Sequence, residues 1–195
     1  MIQGRLKAIV IAALVGGLTT ASAAAPSNPG LATSAARSVL IRSPEPIPHR
    51  DGRARVFLGG SIDMGSSADW QSDLAKALQD QPVTLLNPRR ADWNLAWRPV
   101  ASEPEFRKQV DWELAALEQA DVIVMYLAPG SQSPVSLLEL GLHAKSGKIV
   151  LLCPEGFWRK GNVDITAARY KIEQVNTFEE LISAVRRRVM KARGR

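Results

Sequence analysis

The sequence predicts an α/β domain in which helices wind on both faces of a mostly parallel sheet of about five strands. Two observations carry this. Four short, apolar, β-branched runs (Val56–Leu58, Val83–Leu86, Val122–Leu127 and Ile149–Leu152) are too short for helices, and stretches with helical apolar spacing separate them. The strand–helix alternation continues along the chain with short loops and no internal repeats, the order expected of a parallel sheet with crossover helices. With 195 residues, 46% of them hydrophobic, the chain can bury one good core, so a single doubly wound domain of the flavodoxin-like kind is expected.

The first 54 residues stand outside that pattern. Residues 1–25 combine basic Arg5 and Lys7, an apolar run from Ala8 to Leu18, and Ala21-Ser22-Ala23, the layout of a cleaved secretory signal peptide. The apolar run is too short to span a bilayer, and no cysteine follows the cleavage site to carry a lipid. Export to a periplasm or the medium is therefore expected, with no stable membrane insertion after cleavage. Residues 26–54 are rich in Pro, Ser, Ala and Arg and read as a flexible lead-in, with Val39-Leu40-Ile41 a candidate short strand. The domain itself is expected over residues 55–195.

The formal charge of +6 belongs to the ends of the chain. Two basic residues precede residue 26 and six follow Val185, which leaves 17 basic against 19 acidic residues between them. A body without basic excess does not call for nucleic acid, and a basic helical tail reads as a solvated end. Cys153 is the only cysteine; it lies at the end of an apolar run and reads as a buried structural thiol. His49 and His143 are the only histidines, so no zinc constellation can be built, and no metal or cofactor is expected.

The first strand ends in Gly59-Gly60-Ser61, where Gly60 lets the backbone approach a ligand and Ser61 offers a hydroxyl and an amide. Trp70, Leu74 and Leu78 then mark an amphipathic helix over about residues 68–79, with Trp70 in the core. The second strand leads into Asn87-Pro88-Arg89-Arg90-Ala91-Asp92-Trp93. Arg89, Arg90, Asp92, Trp93 and Trp97 suit either a clamp for a base or phosphate, or an Arg–Asp surface pair covering an apolar loop. Pro104 opens a helix to about Gln119, its buried face marked by Phe106, Val110, Leu114 and Leu117. Glu113 falls on that face and Asp111 points away from it. After Ile149–Leu152 come a loop from Pro154 to Asp164, a short strand near Lys171–Val175, and a last helix opened by a Thr177/Glu180 capping box.

The stretch from Asp121 to Gly141 organises the rest. Its strand runs into a Pro129-Gly130-Ser131 turn. Ser133 as N-cap and Pro134 at the first helical position then open a helix that is apolar nearly all round, through Val135, Leu137, Leu138, Leu140 and Leu142. One carboxylate, Glu139, interrupts it, and carboxylates are almost never buried without a reason. Glu139 shares a face with Ser136 and His143 that opens toward the carboxyl edge of the sheet, where open α/β sheets bind ligands. Two inward carboxylates on successive helices are what cleavage of a glycosidic bond needs. One attacks the anomeric carbon, the other protonates the leaving group, and a retaining mechanism sets them ~5 Å apart. Leucines around Glu139 exclude water, and Ser136 and Tyr126 are placed to give it hydrogen bonds.

The motifs GGSI, NPRRADW, SPVSLLELG and KIVLLCP, followed by GFWRKGNVD, make the segment from about Arg55 to Tyr170 resemble the nucleoside 2-deoxyribosyltransferase family. The resemblance implies a small-molecule nucleoside or nucleotide substrate and transfer or hydrolysis of its N-glycosidic bond through a covalent glycosyl-glutamate. It places the nucleophile at Glu139, puts Glu113 where the family usually has an Asp handling the base, and makes Asn162 the residue that reaches a neighbouring subunit's sugar, hence a homo-oligomer. Two departures stand out. Ser133 occupies the position of an Asp that holds the sugar hydroxyls, and the basic tail replaces a C-terminal carboxylate. Related deoxynucleotide N-hydrolases grip a 5′-phosphate with serines, a role open to Ser61, Ser133 and Ser136 with Arg89 or Arg90. Two other readings compete: a nucleotide-binding module without turnover, and an exported effector that degrades a nucleotide pool.

Overall fold

A computed structural model describes residues 37–63 and 67–193; the expected signal peptide lies outside the described residues. The elements are β1 (Val39–Arg42), β2 (Ala54–Gly60), α1 (Trp70–Ala77), β3 (Val83–Asn87), α2 (Pro104–Gln119), β4 (Val122–Tyr126), α3 (Pro134–His143), β5 (Ile149–Leu152), α4 (Lys160–Tyr170), β6 (Glu173–Val175) and α5 (Phe178–Arg193). The six strands form one sheet in the order β1-β3-β2-β4-β5-β6, and every pairing is parallel. This is the expected doubly wound, flavodoxin-like architecture.

Strand alternation builds both layers of the core. Val56, Leu58, Val122, Val124, Val150 and Leu152 face α1 and α5, where they meet Trp70, Leu74, Leu181 and Val185. Their neighbours Phe57, Ile123, Met125 and Leu151 face α2, α3 and α4 and pack on Trp112, Leu117, Leu140 and Val163. Both faces of β2 to β5 are covered, which explains why those strands read as nearly unbroken apolar runs. Each fully buried Leu or Ile side chain in these layers contributes roughly 1.5–3 kcal/mol.

Several expectations change. Val39–Arg42 is a sixth strand on the outer edge of β3, so this part of the presumed lead-in belongs to the sheet. Residues 43–54 are tied down as well: Arg50 pairs with Asp121, and the Trp112 indole N–H donates to the Glu45 carbonyl at 2.7 Å. The stretch expected as a loop to Asp164 turns helical at Lys160, so GNVD lies in the first turns of α4. Only Val163 and Ala167 of that helix are buried, too few to write a helical period into the sequence. The face of α2 is rotated from the expected one. Gln109, Trp112, Ala116 and Leu117 are buried and Leu114 is exposed, because the polar atoms of Gln109 and Trp112 find partners in the segment before β2. On α3, Val135, Leu138 and Leu142 are exposed while Glu139 is buried. Among the described residues no helix is long and apolar enough to cross a membrane.

Candidate active site

The sheet order reverses between β2 and β4, and the crevice at their carboxyl ends is the switch point at which open α/β sheets take ligands. Gly60 closes β2 there with φ +139°, and a Cβ on it would lie 2.2 Å from the Tyr126 carbonyl oxygen. The glycine is therefore demanded by the adjoining strand. Ser61 is fully buried. Its N–H donates to Tyr126 O (2.8 Å), its Oγ accepts from Ala128 N–H (2.9 Å), and its carbonyl accepts from the Trp70 indole (3.0 Å).

The start of α3 is pinned to the same crevice. Ser136 Oγ donates to the Gly60 carbonyl at 2.9 Å, which anchors the helix one turn before Glu139. That bond uses the hydroxyl proton of Ser136, so this serine does not hold Glu139 as expected. Ser133 starts the helix in a left-handed conformation (φ +41°) and makes no capping hydrogen bond, because its hydroxyl lies between those of Ser61 (2.7 Å) and Ser131 (2.5 Å). Tyr126 does not reach Glu139 either. Strand alternation sends its ring to the other face of the sheet, edge-on to Trp70 and tilted against Phe178.

Glu139 is 7% exposed. Burial pushes its carboxyl up to about 8, and the charge of Glu113 adds to the rise. Burial also raises Glu113, to about 7, against a hydrogen bond from Gln109 Nε2 (2.8 Å) that favours its ionised form. The tertiary structure thus brings the two predicted carboxylates within electrostatic reach. Two interacting acids titrate as a unit, and near neutral pH the pair holds about one proton. Gln109 was not foreseen. Its oxygen accepts from Ser43 Oγ (2.6 Å), and its amide donates to Pro88 O as well as to Glu113. Its position one helical turn before Glu113 is the only sign of this in the sequence.

The NPRRADW loop follows β3 at the same edge, but its groups are engaged with one another. Arg90 bonds both oxygens of Asp92 at 2.9 Å, reaches Glu105 at 3.3 Å and lies over the Trp97 ring at 4.7 Å; Trp93 meets Trp97 edge-on. The hydrogen bonds that Arg90 donates to Asp92 raise its guanidinium further. Of the two readings, the Arg–Asp pair covering an apolar loop is the one this geometry supports. Arg89 donates to the carbonyls of Ser67 and Ala68. Asn162, on α4, lines a separate cavity of about 360 Å³ with Leu137, Leu140, Gly141 and Trp158. Cys153 is buried, and burial pushes its thiol up to about 11, well away from nucleophilic use. Among the described residues no cluster of His, Cys, Asp and Glu could hold a metal.

Comparisons with known proteins agree with this fold. A conserved protein from Enterococcus faecalis V583, of solved structure, superposes with a TM-score of 0.52 at 14% identity over 70% of this chain and 99% of its own, a likeness of fold alone. No curated protein sequence matches the chain. The family profile described as nucleoside 2-deoxyribosyltransferase like matches residues 53–157, which run from the start of β2 past β5 and include Glu113 and Glu139. With more than half of its length matched, the chain belongs to the nucleoside 2-deoxyribosyltransferase-like family.

Proposed function

We propose that the protein cleaves or transfers the N-glycosidic bond of nucleosides or nucleotides, with Glu139 as nucleophile and Glu113 as the acid–base partner. The observation that carries this is the pair of electrostatically coupled carboxylates on α2 and α3, Glu139 buried and Glu113 half-buried, beside the switch-point crevice. The Glu139 carboxylate attacks the anomeric carbon as the bond to the base breaks, and the departing base takes the proton held by Glu113. A second base or water then attacks the glycosyl ester, gives its proton to Glu113 and frees Glu139. A carboxyl at about 7 is suited to giving and taking protons near neutrality. In the free protein burial favours the proton on Glu139, so attack requires the shared proton to pass to Glu113 once substrate is bound, and positive charge developing at the sugar favours that arrangement.

The test is incubation with a panel of deoxynucleosides, 5′-monophosphates and nicotinamide dinucleotide, with and without free adenine, followed by chromatography of released base. Exchange that requires an acceptor identifies a transferase, and release without one a hydrolase. Glu139→Gln should keep the fold and lose turnover by at least about 10³-fold, because an amide cannot attack; wild-type rates in that variant would overturn the mechanism.

Two expectations from the sequence stand as part of this proposal. Exposed Val135, Leu138 and Leu142 on α3 support assembly with a second copy of the chain. The N-terminal segment supports export, to be checked by sequencing the N-terminus of protein recovered outside the cytoplasm.

A further inference from the structure

The amino edge of the sheet, opposite the candidate active site, holds a group of charges that the proposed reaction does not use. A cavity of about 930 Å³ opens there, at the starts of β4, β5 and β6. Its cations come from distant parts of the chain: Arg50 precedes β2, Lys148 precedes β5, and Arg187, Arg188 and Lys191 lie on α5. Two acids, Asp121 and Glu173, also line it. Asp121 is held by Arg50 at 3.2 Å and accepts the backbone N–H of Arg55 at 2.8 Å. Glu173 is shared, with Arg187 on one oxygen at 2.8 Å and Arg188 on the other at 2.7 Å. Lys148 Nζ donates to the Glu118 carbonyl at 3.1 Å and forms no ion pair among the described residues. Lys191 is exposed and has neither a hydrogen bond nor an ion pair among them. Five positive charges against two negative ones leave three without a carboxylate. Helix ends take up part of this excess. α2, α3 and α5 all finish at this edge, each with roughly half a unit of negative charge, which offsets about half of it. The remainder is held around a concave space, where like charges repel and an anion among them relieves the repulsion.

We propose that this cavity binds a small soluble molecule bearing two or more phosphate groups, taken by its phosphates between Lys148, Lys191 and the Arg187–Arg188 pair. The uncompensated charge matches a di- or triphosphate, and guanidinium groups bind phosphate oxygens two at a time. A space of about 930 Å³ is of the size that small-molecule ligands occupy. A membrane or a nucleic acid needs a basic surface that continues beyond the cavity, and residues 26–185 hold 17 basic against 19 acidic residues. The site is separate from the catalytic crevice, because the length of β4, five residues or roughly 16 Å, lies between the two edges of the sheet. The inference is independent of the N-glycosidic reading. It gives the basic tail, which reads as a solvated end in the sequence, a ligand of its own.

The experiment is calorimetric titration of the full chain with inorganic tripolyphosphate at low salt. Tripolyphosphate should bind, and inorganic monophosphate should bind at least about tenfold more weakly. Lys191→Gln and Lys148→Gln should each weaken tripolyphosphate about tenfold, the effect of losing one charge-assisted contact. Lys191 has no described partner, so its variant should fold as the wild type does. Arg107→Gln removes an exposed cation from the start of α2, at the other edge of the sheet, and should leave the affinity unchanged. Phosphatidylglycerol vesicles present the same phosphate chemistry on a lipid surface, and the protein should stay in the supernatant when they are sedimented. Absence of tripolyphosphate binding overturns the proposal, as does an affinity that neither lysine variant moves or that Arg107→Gln lowers equally. Co-sedimentation with the vesicles that Lys191→Gln abolishes also overturns it, by assigning these cations to a membrane surface.

Discussion

Gln109 is the residue that distinguishes the two glutamates. Each carboxyl is raised by burial, but only Glu113 receives an amide hydrogen, which favours its charged form and is consistent with its position at about 7 against about 8 for Glu139. Gln109→Leu removes that donor and leaves Ser43 Oγ and the Pro88 carbonyl without their partner. The variant should be destabilised by about 1–3 kcal/mol, and the limb of the kcat/KM profile that belongs to Glu113 should move to higher pH. Limbs that stayed in place would reduce Gln109 to a structural role. Glu113 and Glu139 were legible in the sequence because helical spacing turned both inward. Gln109 was not, because a glutamine reads as surface until Ser43, 66 residues away, arrives to donate its hydroxyl proton to it.

At the scale of elements, α3 departs furthest from its sequence. Seven of its ten residues from Pro134 to His143 are apolar or glycine, and the helix read as apolar nearly all round. In the structure Val135, Leu138 and Leu142 are 58–63% exposed and form one stripe, while Ser136, Glu139 and Leu140 face inward. The physical reason is the anchor at its start: Ser136 holds the Gly60 carbonyl and Ser133 meets the Ser61 hydroxyl, so the polar edge of the helix is the one drawn to the sheet. The stripe predicts an interface. Leu138→Asp should lower the molar mass found by light scattering with little loss of monomer stability, and an unchanged mass would remove α3 from the interface. β1 was faint in the sequence and α4 unreadable for a related reason. A four-residue edge strand shows only as the short run Val39-Leu40-Ile41, and a helix with two buried residues carries too little periodicity to announce itself.

For the molecule as a whole, the raised carboxyls couple stability to pH. Glu113 and Glu139 bind protons more tightly in the folded chain than at the ordinary value of 4.5, so their contribution to stability is fully present below about pH 4.5. It is lost as pH rises through about 7 and about 8. The denaturation midpoint should therefore fall between about pH 5 and pH 9 by the equivalent of a few kcal/mol. Glu139→Gln should flatten that fall and be the more stable protein at the alkaline end; a wild-type midpoint constant over the range would contradict the burial of the pair. The sequence alone determined the order of the main strands and helices, the parallel sheet, and the inward direction of the two glutamates. Those follow from periodicity within a few residues and from the apolar character of doubly covered strands. Only the tertiary structure decided that Arg90 is occupied by Asp92, that α3 exposes its leucines, and that Ser61 and Ser133 share a hydrogen bond. Each of these depends on which groups meet, and those two serines stand 72 positions apart, a distance at which composition and spacing say nothing about who meets whom.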